Sequence, residues 1–98
     1  MFEVLYSAAA DADVRAAVRY ARRRAPATAE RWFARLRARI DSLSEMPERF
    51  PVVGDATRIG FETHEMLFGN RRHAYRIRYR ILQNLVIVLS VERASRNR

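Results

Sequence analysis

The chain has 98 residues, nineteen basic and eleven acidic, which give a formal net charge of +8 and a sequence pI near 11.3. All nineteen basic residues are arginine, there is no cysteine, and no apolar run reaches the roughly 20 residues that a membrane-spanning helix needs. This composition excludes disulfides, thiolate metal sites, a cysteine nucleophile and a transmembrane helix, and it predicts a single domain, residues 1–98, with an acidic partner.

The first half of the chain predicts a short strand followed by two helices. Residues 2–7 alternate in polarity like a half-buried strand, and they do not resemble a secretory signal, so we expect a cytoplasmic location. Ser7 is placed to cap a helix whose Arg22-Arg23-Arg24 end complements the negative pole of the helix dipole. Pro26 interrupts the helical pattern, and a second helix from about Ala27 to Glu45 completes a helical hairpin.

The second half predicts three strands that pair in an antiparallel meander. They run from about Phe61 to Phe68, Arg72 to Leu82 and Leu85 to Arg93, with turn signals at Gly69-Asn70 and Gln83-Asn84. The last strand is apolar on both faces, which suits a central position in the sheet.

These elements give the order βααβββ, and residues 48–55 between the second helix and the three strands are expected to be a loop. The predicted fold class is α+β, with the helical hairpin packed on one face of a small, mostly antiparallel, curved sheet.

One strand has two chemically opposite faces because side chains alternate along it. Tyr75, Ile77, Tyr79 and Ile81 form one face, and Arg76, Arg78 and Arg80 form the other. We expect the aromatic face to meet the helices and the arginines to point outward. The arginine row has three interpretations: a solvated face, a docking surface for an acidic protein segment, or a phosphate-binding surface.

Motifs for cofactor chemistry are missing from the sequence. His64 and His73 are the two histidines, and the neighbours of His73 are arginines, so a metal site would lack ligands. There is no glycine-rich phosphate loop and no serine, histidine and carboxylate motif. Glu62 and Glu65 fall on opposite faces of a strand, which argues against paired carboxylates. No cofactor, metal or small-molecule substrate is expected.

Two residue patterns together cover nearly the whole chain. The strand half carries His64-Glu65-Met66-Leu67-Phe68-Gly69, followed by residues 75–81 and 88–96. The helical half carries Ser7, Ala10, Asp13, Val14, Ala17, Tyr20, Ala29, Phe33, Leu36, Ile40, Leu43 and Pro47. Their order and spacing resemble the RelE/ParE superfamily of bacterial toxins, including the proteins called plasmid stabilisation system toxins.

The resemblance implies the toxin of a type II toxin-antitoxin system, a small basic protein held inactive by an antitoxin encoded beside it. ParE-like members poison DNA gyrase, whereas RelE-like members are metal-independent endonucleases that cleave mRNA in the ribosome. The long hairpin and the Phe68-Gly69 step before the arginine strand favour the ParE-like function. The RelE-like endonuclease is the alternative, and a non-toxic, basic nucleic-acid-binding module is a further one.

The chain departs from the superfamily pattern at two places. Residues 63–66 contain His64 where relatives usually carry an arginine, and residues 93–96 begin with Arg93 where relatives usually carry a histidine. The exchange implies either the same charges in a different arrangement or a degenerate site.

The resemblance implies three sets of site residues. An endonuclease would use His64, Arg76 and Arg93, although His64 is also interpreted as a solvated or antitoxin-contacting side chain. The arginines of the second helix and Trp32 are expected to contact the antitoxin, while the alternatives are a solvated face for the arginines and a core position for Trp32. Nucleic acid or target binding is assigned to Arg72, Arg76, Arg78, Arg80 and Arg96, and antitoxin binding to Arg31, Arg35, Arg39 and Trp32.

Overall fold

The computed structural model describes residues 1–54, 56–70 and 73–94. The helices are α1 (Ala8–Arg24), α2 (Ala29–Asp41) and the short α3 (Ala56–Ile59), with 3₁₀ turns at Ser42–Ser44 and Pro47–Arg49. The strands are β1 (Glu3–Tyr6), β2 (Val52–Val53), β3 (Thr63–Phe68), β4 (Tyr75–Leu82) and β5 (Leu85–Arg93). The described strands form one sheet in the order β1-β5-β4-β3-β2, and the predicted α+β class is confirmed. None of the helices in these ranges combines the length and the apolar character that a membrane crossing requires.

The helical hairpin forms as the sequence predicts, but α2 is shorter than expected. The Ser7 hydroxyl accepts a hydrogen bond from the Ala10 amide at 3.0 Å and caps α1. Helix α2 was expected to reach Glu45 and ends at Asp41, where a 3₁₀ turn takes over. The Ser42 hydroxyl donates to the Arg39 carbonyl at 2.6 Å, a side-chain bond that competes with helical pairing and explains the early end.

Strands β3, β4 and β5 form the expected antiparallel meander, and β5 lies in the interior of the sheet. Strand β1 pairs with β5 in parallel, in the register Leu5 to Ile87. The expected loop at residues 48–55 instead contains β2, which pairs with β3 through Val52 opposite His64. Two residues are too few to show an alternating pattern, so no pattern in the sequence indicated this strand.

Strand β5 contains a β-bulge that the start of α1 holds in place. Arg78 lies opposite Ser90 and Tyr79 opposite Val88, so Leu89 is the extra residue. The Ser7 hydroxyl donates to the Leu89 carbonyl at 3.3 Å, and the Val91 amide donates to Asp13 Oδ2 at 2.9 Å. The bulge reverses the alternation of β5, so Val86 and Val88 are buried before it and Val91 after it.

The core lies between the hairpin and one face of the sheet, which we call the inner face. Tyr75, Ile77 and Tyr79 of β4 are buried there, as the alternation predicted, against Leu36 and Ile40 of α2. The opposite face, which we call the outer face, carries the arginines of β4. The amphipathic pattern of β4 therefore decides which side of the sheet the helices cover.

Tyr79 predicts a loss of stability at alkaline pH. Burial raises the pKa of Tyr79 to about 12, above its ordinary value of 10.0. Below pH 10 the phenol is neutral in both the folded and the unfolded chain, so it adds no pH dependence. Between the ordinary pKa and the raised pKa, Tyr79 loses its phenol proton in the unfolded chain but keeps it in the folded chain. The free energy of unfolding should therefore fall by about 2 to 3 kcal/mol across this range. Urea denaturation of the chain and of Tyr79→Phe across this pH range measures the free energy of unfolding of each protein. If that free energy fell equally with pH in the two proteins, the prediction would be contradicted.

Candidate functional site

His64 lies on the inner face and not beside the arginines of β4. It lies two residues before the core residue Met66 on β3, so the two side chains point to the same face, and the His64 side chain is buried. Its Nδ1 donates to the Phe50 carbonyl at 2.7 Å, and its ring stacks on Tyr79 with centroids 5.3 Å apart. The alternation of β3 was the sequence signal for this placement, because His64 and Met66 are two residues apart.

The structure does not bring His64, Arg76 and Arg93 together. Arg76 points to the outer face, whereas Arg93 lies opposite Tyr75 and points to the inner face, with its guanidinium 4.8 Å from the ring of Tyr20. His64 and Arg93 are on the same face but pair with Tyr79 and Tyr75, positions that lie roughly 13 Å apart along β4. The catalytic role of the three residues stays a prediction, and they do not form a common site in this conformation.

The outer face contains a cluster of Arg76, Arg78 and Glu65, which we call the outer arginine cluster. Arg78 Nε donates to Glu65 Oε1 at 2.9 Å, and Arg76 Nε lies 3.8 Å from Glu65 Oε2. The Glu65 side chain is 16% exposed, whereas the two arginine side chains are 43% and 42% exposed. One carboxylate therefore serves two guanidiniums, and the cluster keeps a net positive charge at the surface. Sequence reasoning missed this pairing, which depends on the register that sets Glu65 opposite Arg78.

Arg80, the third arginine of β4, lies against an aromatic ring. Its guanidinium lies 4.0 Å from the ring centroid of Phe61, and its Nε is buried without a hydrogen-bond partner in the structure as described. Arg72 and Arg96, which were also predicted to bind the target, lie outside the described residues.

The predicted antitoxin-binding residues of α2 are divided between three environments. Arg31 is exposed, and the Arg39 guanidinium lies 5.9 Å from the ring of Phe50. Trp32 is half-buried among aromatic rings, with centroids 5.6 Å from Tyr75 and 6.1 Å from Phe68. Arg35 lies beside Trp32 at the edge of a cavity.

This cavity, which we call the hairpin-end pocket, lies where α1 ends, α2 begins and β3 connects to β4. Its volume is about 510 Å³. Among the described residues, four aromatic side chains and three arginines dominate its lining, and no carboxylate belongs to it. The aromatic residues are Tyr20, Trp32, Phe68 and Tyr75, and the arginines are Arg24, Arg35 and Arg93.

Tyr20 organises the arginines of the hairpin-end pocket. Arg24 Nη1 donates to the Tyr20 hydroxyl at 2.5 Å, and the guanidiniums of Arg24 and Arg93 lie 5.4 and 4.8 Å from the Tyr20 ring. The hydrogen bond from Arg93, with a smaller contribution from Arg24, lowers the pKa of the Tyr20 phenol. Sequence reasoning missed Tyr20 and Arg24 as site residues, although their spacing of four places them on one side of α1.

The described residues contain no group of three or more histidine, aspartate or glutamate side chains that could hold a metal ion.

A family model described as "ParE toxin of type II toxin-antitoxin system, parDE" matches residues 4–98. A solved structure titled "Chromosomal ParDE TA system from P. aeruginosa" contains a chain that matches with a TM-score of 0.69 and 14% sequence identity. The match covers 95% of this chain and 96% of that chain, and at this identity it is a likeness of fold. None of the curated proteins compared with the chain matches it.

Proposed function

Because the chain belongs to the ParE toxin family of type II toxin-antitoxin systems, we propose that it inhibits growth by acting on DNA gyrase in the cytoplasm. A cognate antitoxin holds it inactive until the antitoxin is lost. The outer arginine cluster is the surface that engages the target, with Arg76 and Arg78 as the contacting side chains.

The separation of His64 from the outer arginine cluster is the observation that carries the choice of target. RNA cleavage needs a proton acceptor and a proton donor beside the cations that bind the phosphate. His64 is buried on the inner face with Nδ1 bonded to a carbonyl, and His73 lines the hairpin-end pocket. Tyr75 and Tyr79 are buried on the inner face as well. The outer arginine cluster therefore has cations and an engaged carboxylate but no histidine or tyrosine, which supports binding over RNA cleavage.

A pair of assays tests the target. The purified chain should inhibit supercoiling by gyrase, and a translating extract supplemented with it should keep its mRNA intact, because the groups for RNA cleavage do not converge. Cut mRNA on ribosomes with normal supercoiling would overturn the gyrase proposal in favour of the RelE-like endonuclease. Normal supercoiling, intact mRNA, healthy cells and an affinity for any nucleic acid that falls steeply with salt would favour the non-toxic binding module.

The antitoxin is tested by expression. The chain expressed alone should arrest growth, and co-expression of the product of the neighbouring gene should restore growth and yield a complex that co-purifies. Normal growth of cells that accumulate the folded chain, together with the absence of a complex, would contradict the proposed function.

A further inference from the structure

The arginines of the hairpin-end pocket have no carboxylate partner among the described residues. Among the described residues, the arginines that form ion pairs do so elsewhere: Arg15 with Asp11, Arg22 with Glu30, and Arg76 and Arg78 with Glu65. No such pair involves Arg24, Arg35 or Arg93 within the described ranges. Arg24 and Arg93 engage the phenol of Tyr20 instead, so their charges are not neutralised. The pocket therefore concentrates positive charge that a carboxylate from outside the chain could neutralise.

The shape of the pocket selects an apolar side chain as well as an anion. Its floor is formed by Trp32, Phe68 and Tyr75, and small side chains near the end of α1, including Ala21 and the C-cap residue Ala25, form a wall. These small residues leave room between the end of α1 and the start of α2. A large apolar side chain entering there would contact aromatic rings on one side and alanine methyl groups on the other.

A nucleotide base is a poorer fit than a protein side chain. Tyr75 is only 7% exposed, and Trp32 is half-buried by its contacts with Tyr75 and Phe68. Stacking of a base requires an accessible ring face, whereas a side chain can insert against ring edges. The occupant that satisfies both the aromatic floor and the arginine rim is a peptide segment with a large apolar residue next to a carboxylate.

We propose that the hairpin-end pocket is the anchor site for such a segment of the antitoxin. Its apolar side chain lies on Trp32, and its carboxylate is bound by Arg24 and Arg93, which Tyr20 positions. This inference rests on the proposed function, since it names the place and the chemistry of antitoxin binding. The pocket is on the inner face of the sheet and the outer arginine cluster is on the other, so the two surfaces can be changed independently.

The test uses the full chain and the product of the neighbouring gene, with binding measured by calorimetry. Arg24→Ala with Arg93→Ala should weaken the complex about a hundredfold, because each arginine loses a charge-assisted contact worth about tenfold. Ala21→Leu, which narrows the pocket and replaces one strong helix former with another, should weaken it without any change of charge. Arg15→Ala with Arg23→Ala is the matched control, since both residues are exposed on α1 and lie outside the pocket.

Two further measurements distinguish the role of each residue. Tyr20→Phe should weaken binding less than the double alanine variant, because it frees Arg24 without removing its charge. Trp32 is the only tryptophan of the chain, so fluorotryptophan labelling gives a single fluorine resonance that should shift when the pocket is occupied.

The outcomes separate this inference from the proposed function. If the wild-type chain binds the neighbouring product and the pocket variants bind it as tightly as the control does, the pocket is not the anchor site and the proposed function stands. If the wild-type chain binds nothing from the neighbouring gene, the antitoxin part of the proposed function fails and this inference fails with it, whereas the gyrase assay still tests the target. If a short oligonucleotide shifts the fluorine resonance and the neighbouring product does not, the pocket is a nucleic-acid site and the inference is overturned.

Discussion

Replacing both Arg76 and Arg78 with alanine is expected to abolish growth inhibition by this toxin. The two guanidiniums of the outer arginine cluster are more than 40% exposed and share one carboxylate, so they are free to bind a second acidic group. A hydrogen bond to a charged group contributes about 1.5–3 kcal/mol, and the loss of two should weaken target binding at least about a hundredfold. Colony counts after induction of the chain alone, with gyrase supercoiling by the purified variant, measure the loss.

The comparison needs variants that separate binding from folding. Removing both arginines leaves Glu65 without cations in a half-buried position, so a second variant adds Glu65→Gln to remove the unpaired charge. Arg15→Ala with Arg23→Ala removes the same charge from the helical side and should stay toxic, since exposed ion pairs such as that of Arg15 contribute little. Full toxicity of a folded variant without Arg76 and Arg78 would contradict the assignment of this surface.

Tyr79→Ala is expected to have the largest effect on stability, about 3–5 kcal/mol of the free energy of unfolding. Tyr79 is fully buried, stacks on His64 and donates a hydrogen bond of 2.5 Å to the Pro47 carbonyl. The substitution removes a large ring from the core, and it leaves that carbonyl without its donor. Because a domain of this size is usually stable by 5–15 kcal/mol, the variant should be marginally folded or unfolded.

Urea denaturation followed by circular dichroism measures this change, and two variants divide it into parts. Tyr79→Phe keeps the ring and removes the hydroxyl, so it should cost about 1 kcal/mol. Leu82→Ala, at the exposed end of the same strand, should cost less than Tyr79→Ala because its side chain is already 41% exposed. If Tyr79→Ala were no more destabilising than Tyr79→Phe, the ring would not be a central part of the core.

Much of the fold follows from local patterns that the sequence displays directly. The alternation of Tyr75 to Ile81 predicted which face of β4 is buried, and the continuous apolar run of β5 predicted its interior position. The helical hairpin followed from the capping residue Ser7 and the break at Pro26. Each of these signals depends on residues close together in the chain, which is why the sequence alone was sufficient.

The candidate site is predicted less well because it depends on pairing between distant segments. Glu65 and Arg78 are thirteen positions apart, and they meet because the β3–β4 register sets them opposite each other. The hairpin-end pocket combines Tyr20 of α1, Trp32 of α2 and Arg93 of β5. No sequence period links these three positions, so neither the pocket nor the role of Tyr20 was found from the sequence.

The family, the α+β architecture and the excess of arginine could all be read from the sequence, because each depends on local pattern or composition. The face to which Arg93 belongs, by contrast, depends on contacts between distant segments. A regular β5 would place Arg93 on the outer face, but the bulge at Leu89 turns it toward the helices. The bulge is held by Ser7 and by Asp13, residues about eighty positions away, because their oxygens satisfy the backbone groups that the bulge leaves unpaired. The bulge therefore places Arg93 in the hairpin-end pocket, whereas Arg76 and Arg78 lie on the opposite side of the sheet.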